Sequence, residues 1–223
     1  MNGRAMAALL GLGFMAIAPA SFSQTYNMDL TGAGNGTVAD GVYVSPYVGT
    51  ISGPGVNYSG YMICDDFNTE SYLNSPWTAT ATNAGALNGT EKFASSVVFN
   101  GVTYTAQQAY NAAGWLANGL LGNLSNAATQ TNYAFAIWNI FDGQTADPAG
   151  GAVGLEAAAF TAATAGGYSA GNVSVFTPNP RNASQEFLVV KQAPEIDPAS
   201  AASGLTLLLG GVMVSRSRRR LQA

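Results

Sequence analysis

Residues 105–143, TAQQAYNAAGWLANGLLGNLSNAATQTNYAFAIWNIFDG, decide the fold class. Before them, aromatic or β-branched residues alternate with polar ones; within them, apolar residues recur at helical spacing. Thr105 is placed to cap a helix whose apolar stripe runs through Tyr110, Ala113, Leu116, Ala117 and Leu120. Gly122-Asn123 ends it. Ser125 is placed to cap a second helix, with Tyr133, Ile137, Ile140 and Phe141 on its apolar side and Trp138 beside them. That helix stops at Asp142-Gly143, and a weaker, Ala-rich one is expected over residues 153–165.

Outward from this block the chain reads as strands. Upstream, residues 25–30, 41–48 and 57–67 alternate, separated by Gly-rich turns at 31–36 and 50–55. Residues 71–82 and 91–104 continue in that style, the second with a hairpin turn at Asn100-Gly101. Downstream, 172–176 and 186–191 are closing strands on either side of Pro178-Asn179-Pro180. Strands, then helices, then strands predict an α+β fold rather than alternating βαβ units. The expected architecture is an antiparallel β-sandwich or barrel-like sheet carrying a two- to three-helix insertion.

The two ends have a different character. Residues 1–23 carry Arg4, an apolar stretch over 5–18, and small residues at Ser21 and Ser23. This is the layout of a secretory signal peptide, cut after Ser23 or after Ala20. At the other end an uncharged run over 199–214 is followed by Arg216, Arg218, Arg219 and Arg220. At about 1.5 Å per residue it spans about 24 Å, a little less than a hydrocarbon core about 30 Å thick. Starting the helix at Pro198 and letting the arginines snorkel closes most of the gap. The arginines hold that end in the cytoplasm, so residues 24–193 are expected outside, as one domain.

Pro194-Glu195-Ile196-Asp197, the apolar run and the arginine end together resemble the PEP-CTERM sorting signal of Gram-negative bacteria, here residues 194–223. Ile196 replaces the second Pro of the commonest Pro-Glu-Pro form. The resemblance implies export and transient anchoring in the inner membrane through residues 198–215. It further implies cleavage near Pro194-Glu195 by an exosortase-type membrane protease, then release to the cell surface or medium. Association with exopolysaccharide, biofilm or floc is implied as well.

Between the two ends, absences are informative. Residues 24–193 hold three basic side chains (Lys92, Arg181, Lys191) against ten acidic ones, a formal net charge of −7. Such a surface repels phosphates, so nucleic acid is not an expected partner. No His is present, which removes the usual general base, the commonest metal ligand and the Ser-His-Asp and Cys-His arrangements. A single Cys excludes an intrachain disulfide. Asp65, Asp66 and Glu70 offer oxygen ligands, but no Asp-x-Asp-x-Asp-Gly loop is present, so neither metal nor cofactor is expected.

Two segments stand out: Tyr61-Met62-Ile63-Cys64-Asp65-Asp66-Phe67, and residues 133–141 with Ala136-Ile137-Trp138. A Cys-Asp-Asp strand followed by an Ala-Ile-Trp helix is similar to many PEP-CTERM ectodomains of unassigned function. It is more distantly similar to the thioester domains of Gram-positive adhesins, where a Cys bonds to a Gln in Thr-Gln-x-Ala-Ile-Trp. Cys64, Ala136, Ile137 and Trp138 match that pattern, whereas the Gln position holds Ala134 and the Thr position Tyr133. Alanine has no carboxamide, so no thioester forms there; Gln130 is the other glutamine on that helix face. On this reading Cys64 is a small buried hydrophobe.

Asp65 and Asp66 are adjacent on a predicted strand, so they point to opposite faces and cannot pair with each other catalytically. Trp77, Trp115 and Trp138 offer stacking faces for sugars, although helix positions with apolar neighbours favour core packing. The expected function is a non-enzymatic envelope or matrix protein. One alternative is an adhesive or carbohydrate-binding module of thioester-domain-like fold, favoured by a groove lined with exposed Trp and Tyr. The other is a polysaccharide hydrolase using two carboxylates, favoured by acids facing each other across a cleft.

Overall fold

The computed structural model describes residues 24–143 and 147–191. The expected signal peptide and the expected sorting signal lie outside the described residues. Six strands close an antiparallel barrel: β1 (Thr25–Gly32), β4 (Tyr47–Gly53), β5 (Val56–Cys64), β6 (Trp77–Asn83), β9 (Val173–Pro178) and β10 (Phe187–Val190). Around the barrel they run β1-β4-β5-β10-β9-β6. Two small hairpins, β2 (Val38–Ala39) with β3 (Val42–Tyr43) and β7 (Val97–Phe99) with β8 (Val102–Tyr104), lie outside it. Helices α1 (Ala106–Leu121), α2 (Ala127–Asp142) and α3 (Ala152–Thr164) form one layer. The α+β expectation therefore resolves into a closed barrel and three helices. Among the described residues, no helix is long and apolar enough to cross a membrane.

Side-chain alternation builds two cores that share walls. Tyr26, Met28, Leu30, Ile51, Met62, Cys64, Phe176 and Phe187 point inward and fill the barrel. Ile63, Leu188, Val173 and Val175 point outward into the helical layer, against Tyr110, Leu116, Phe135 and Ile137 among others. Strands β9 and β10 are consequently buried on both faces, whereas β1, facing water outside, alternates. Along β5 the burial alternates and then becomes continuous at Met62-Ile63-Cys64, where the helices begin to cover it. Asp65 and Asp66 follow directly.

Helix boundaries follow local chemistry. Thr105 caps α1 with a full capping box: it accepts from the Gln108 N–H, and Gln108 Oε1 accepts from the Thr105 N–H at 2.9 Å. The second cap is Asn126 rather than Ser125; its side chain accepts from the Thr129 N–H at 2.9 Å. Gly143 ends α2 in the left-handed region at φ 62°. The helices approach closely because Gly119 of α1 faces Tyr133 of α2, where a Cβ would come within 2.4 Å of the ring.

Several strand expectations change. The expected strand over 41–48 divides into β3 and the start of β4, and β4 runs on through residues expected to turn, leaving Pro54-Gly55 as the hairpin loop. Strand structure in 71–82 begins only at Trp77, and in 91–104 only at Val97. The barrel's most informative irregularity lies between β5 and β10. They pair only at Phe187↔Cys64 and Leu188↔Ile63, while β5 stays paired with β4 from Val56 to Met62. Beyond Ile63 the seam is open.

Candidate functional site

At the closed end of that seam the chain concentrates its acids. Asp65, Asp66 and Glu186 are all 0 % exposed. Glu186 opens β10: its Oε1 accepts from the Tyr110 hydroxyl, and its Oε2 from the Thr177 hydroxyl and the Lys92 N–H. Its own carbonyl accepts from the Asp65 N–H at 3.3 Å. Asp66 pairs with the Lys92 ammonium, and its carbonyl accepts from the Cys64 thiol at 3.2 Å and from Gln185 Nε2 at 2.9 Å. Asp142, at the end of α2, accepts from the Phe67 N–H and from Asn68 Nδ2. Barrel, helices and the segment before β7 are thus tied together through one knot of carboxylates.

Its electrostatics follow from burial. Neither carboxyl oxygen of Asp65 meets an N–H or O–H donor among the described residues. Burial, then the Glu186 and Asp66 charges, hold the Asp65 carboxyl far above the usual carboxylate range. Asp65 and Glu186 lie close enough for each to feel the other's carboxyl. Burial raises Glu186 as well, opposed by its hydrogen bonds from Thr177 and Tyr110. The Tyr110 hydroxyl is pushed up by burial and then by the Glu186 charge, so it remains a donor. Asp65 and Asp66, expected on a strand, instead follow the end of β5, and both are internal because the helices cover that end of the barrel.

Cys64, Ala134 and Trp138 meet at one place, lining a void of about 10 Å³, no more than a single water would need. Trp138 Nε1 donates to the Cys64 carbonyl at 3.0 Å. Burial, then the Asp65 charge, raise the Cys64 thiol well above its ordinary value, so it is neither a thiolate nor a ready nucleophile. Gln130 gives its Nε2 to the Leu124 carbonyl at 2.7 Å. Phe67 packs on Trp138 with ring centres 5.1 Å apart, which makes this trio part of the helix–barrel contact.

Glu70 is exposed and accepts from the Tyr72 hydroxyl, apart from the internal Asp pair. Among the described residues, no group of three His, Cys, Asp or Glu side chains could hold a metal ion. Trp77 and Trp138 are core residues at 9 % and 4 % exposure; Trp115 is half-buried and lines a hollow with Asn118, Gly119, Tyr168 and Asn172. A larger hollow of about 710 Å³ opens at the barrel mouth, lined by Tyr26, Tyr58, Tyr61 and Phe176 among others. Pro194, Glu195, Ile196, Asp197 and the four terminal arginines lie outside the described residues.

Glu186, Tyr110 and Lys92 were not singled out by sequence reasoning. The available signal was a lone acid heading the apolar run 187–190, in a segment with only three basic residues. Comparison with protein-family models, with curated proteins and with solved structures finds no match to this chain.

Proposed function

We propose that this is an exported, non-enzymatic protein of the cell envelope or extracellular matrix. It is anchored transiently by residues 198–215 and cut near Pro194-Glu195 by an exosortase-type protease. The observation that carries the reading is the sequence arrangement: a leader before an acidic, His-free domain, and a motif, apolar run and arginine cluster after it. The buried acids support the non-enzymatic part. Asp65 and Glu186 are two neighbouring carboxyls, both raised by burial, and a glycosidase requires two carboxylates. Both lie at 0 % exposure rather than across a cleft, and Glu186 is bonded to the Tyr110 and Thr177 hydroxyls.

A specific observation also favours the second reading, an adhesive or carbohydrate-binding module: tyrosines line an open hollow at the barrel mouth. The test of export and processing is intact mass of the protein from membrane and medium fractions of its host. The expected species begins near Gln24 and ends near 193–195. Retention of the C-terminal run in every fraction would reject the sorting reading.

A further inference from the structure

The open stretch of the β5–β10 seam has a definite hydrogen-bonding character. The Asp65 N–H donates to the Glu186 carbonyl, so Asp65, Ile63, Tyr61 and Ser59 turn their main-chain groups toward β10. The next matched pair would be Tyr61 with Val190, and it is not formed. The Tyr61 carbonyl accepts instead from the Tyr58 hydroxyl at 2.9 Å. Main-chain donors and acceptors of both strands therefore border the 710 Å³ mouth, a volume within the roughly 300–1,000 Å³ of small-ligand sites.

Aromatic faces are held beside those groups. Tyr26 lies against Gly53, where a Cβ would come within 2.6 Å of the ring, and the Tyr58 hydroxyl lies 2.5 Å from where a Gly60 Cβ would be. Two glycines thus seat two rings, fixing them as platforms. The mouth is lined by no carboxylate and by a single charged side chain, Lys191.

The mouth continues sideways. The Lys191 N–H donates to the Asn172 carbonyl at 2.8 Å, and Asn172 lines the Trp115 hollow. That bond links the lining of one concavity to the lining of the other. In the second, Asn172 Nδ2 donates to Asn118 Oδ1 at 3.0 Å, and Asn118 Nδ2 donates to the Tyr168 hydroxyl at 3.0 Å. Among the described residues, the Tyr168 hydroxyl donates to no partner and the Asn172 carboxamide oxygen accepts from none, and both residues line the hollow.

We infer that the barrel mouth and the Trp115 hollow form one binding path for a short, uncharged glycan. Each sugar hydroxyl both donates and accepts, which suits an edge presenting N–H and C=O groups together. The C–H faces of sugar rings suit the tyrosine and tryptophan faces. A lipid chain would leave the strand edges unbonded, at a cost of about 1–3 kcal/mol for each buried group. An extended peptide would bond the edges but meets amides and a hydroxyl, not an apolar pocket, in the second hollow. A polyanionic glycan is repelled by a domain of net charge −7.

The inference rests on the binding-module reading above and gives it a site. The test titrates the exported protein, by calorimetry and tryptophan fluorescence, with cellotetraose, maltotetraose and chitotetraose. Tetragalacturonate and an alternating Val-Thr hexapeptide serve as comparisons. Saturable binding of a neutral tetrasaccharide is expected, weakened at least tenfold by Tyr61→Ala and by Trp115→Ala. Exposed Asn172→Ala, expected to weaken it at least threefold, guards against a folding defect at Trp115, and thermal midpoints confirm that each variant is folded. Binding of no neutral tetrasaccharide, tighter binding of tetragalacturonate or of the peptide, or affinity indifferent to all three substitutions would overturn the inference. Export and processing are read by mass, so failure here is distinguishable from failure of the sorting reading.

Discussion

The two ends of the β5–β10 seam are made from the same two strands, yet they have opposite chemistry. At one end Cys64 and Ile63 pair with Phe187 and Leu188, helices cover the strands, and Glu186 is bonded to Tyr110 of a helix and Thr177 of the neighbouring strand. At the other end Tyr61 and Val190 do not pair with each other, tyrosines face a hollow, and charge is nearly absent. The residues most suggestive of chemistry here, Cys-Asp-Asp, are the ones the fold buries. The surface able to meet a partner is built from plain Tyr, Ser and Asn.

The largest effect is expected at the sealed end. Glu186→Ala leaves the Tyr110 hydroxyl, the Thr177 hydroxyl and the Lys92 N–H without their acceptor. Breaking a buried polar network in this way costs about 3–5 kcal/mol, read as a lower urea midpoint. Glu186→Gln, keeping the shape and an acceptor, should cost markedly less. Lys92→Met leaves Asp66 buried without its cation and should cost about 2–4 kcal/mol by the same measurement. A loss under about 0.5 kcal/mol for either deletion would mean the knot is not what joins barrel to helices.

Acidity sharpens the comparison further. Asp65 and Glu186 have folded pKa values above those of the unfolded chain, so the folded state keeps protons that the unfolded state gives up. Their contribution is fully present below the unfolded carboxylate range and is lost as pH rises through the folded values. Glu156, buried on α3 and raised by burial to about 7, adds the same sign between its ordinary value of 4.5 and about 7. The thermal midpoint should therefore fall as pH rises from 5 to 8. Asp65→Asn and Glu156→Gln should each flatten that slope; an unchanged slope in both would contradict the assignment of the buried protons. The smallest effect belongs to the open end, where Tyr61→Ala should move stability by no more than about 0.5 kcal/mol.

The legible part of the fold is what depends on local period and caps. Helix α1 and its Thr105 cap, the stop of α2 at Gly143, and strands β1, β5, β9 and β10 follow from neighbours in sequence. Closure of the barrel depends on β6 lying between β1 and β9, a pairing that no local pattern announces. The site divides in the same way. Burial of Cys64 and the core placement of Trp138 were readable from apolar neighbours. The acid knot was not, because Asp65, Lys92, Tyr110 and Glu186 are far apart in the chain and meet only when α1 and β10 pack. Nor was the open seam readable, since it arises where two strands stop pairing, and nothing in Tyr61 or Val190 themselves marks that point.

Native-state amide hydrogen exchange, read residue by residue along β5 and β10, tests the asymmetry most directly. Strong protection is expected at Asp65, Ile63 and Leu188 and weak protection at Ser59, Tyr61 and Val190. Protection at the weak positions should rise when a bound tetrasaccharide fills the mouth. Uniform strong protection from Ser59 to Asp65 would contradict it, because the seam would then be closed along its whole length.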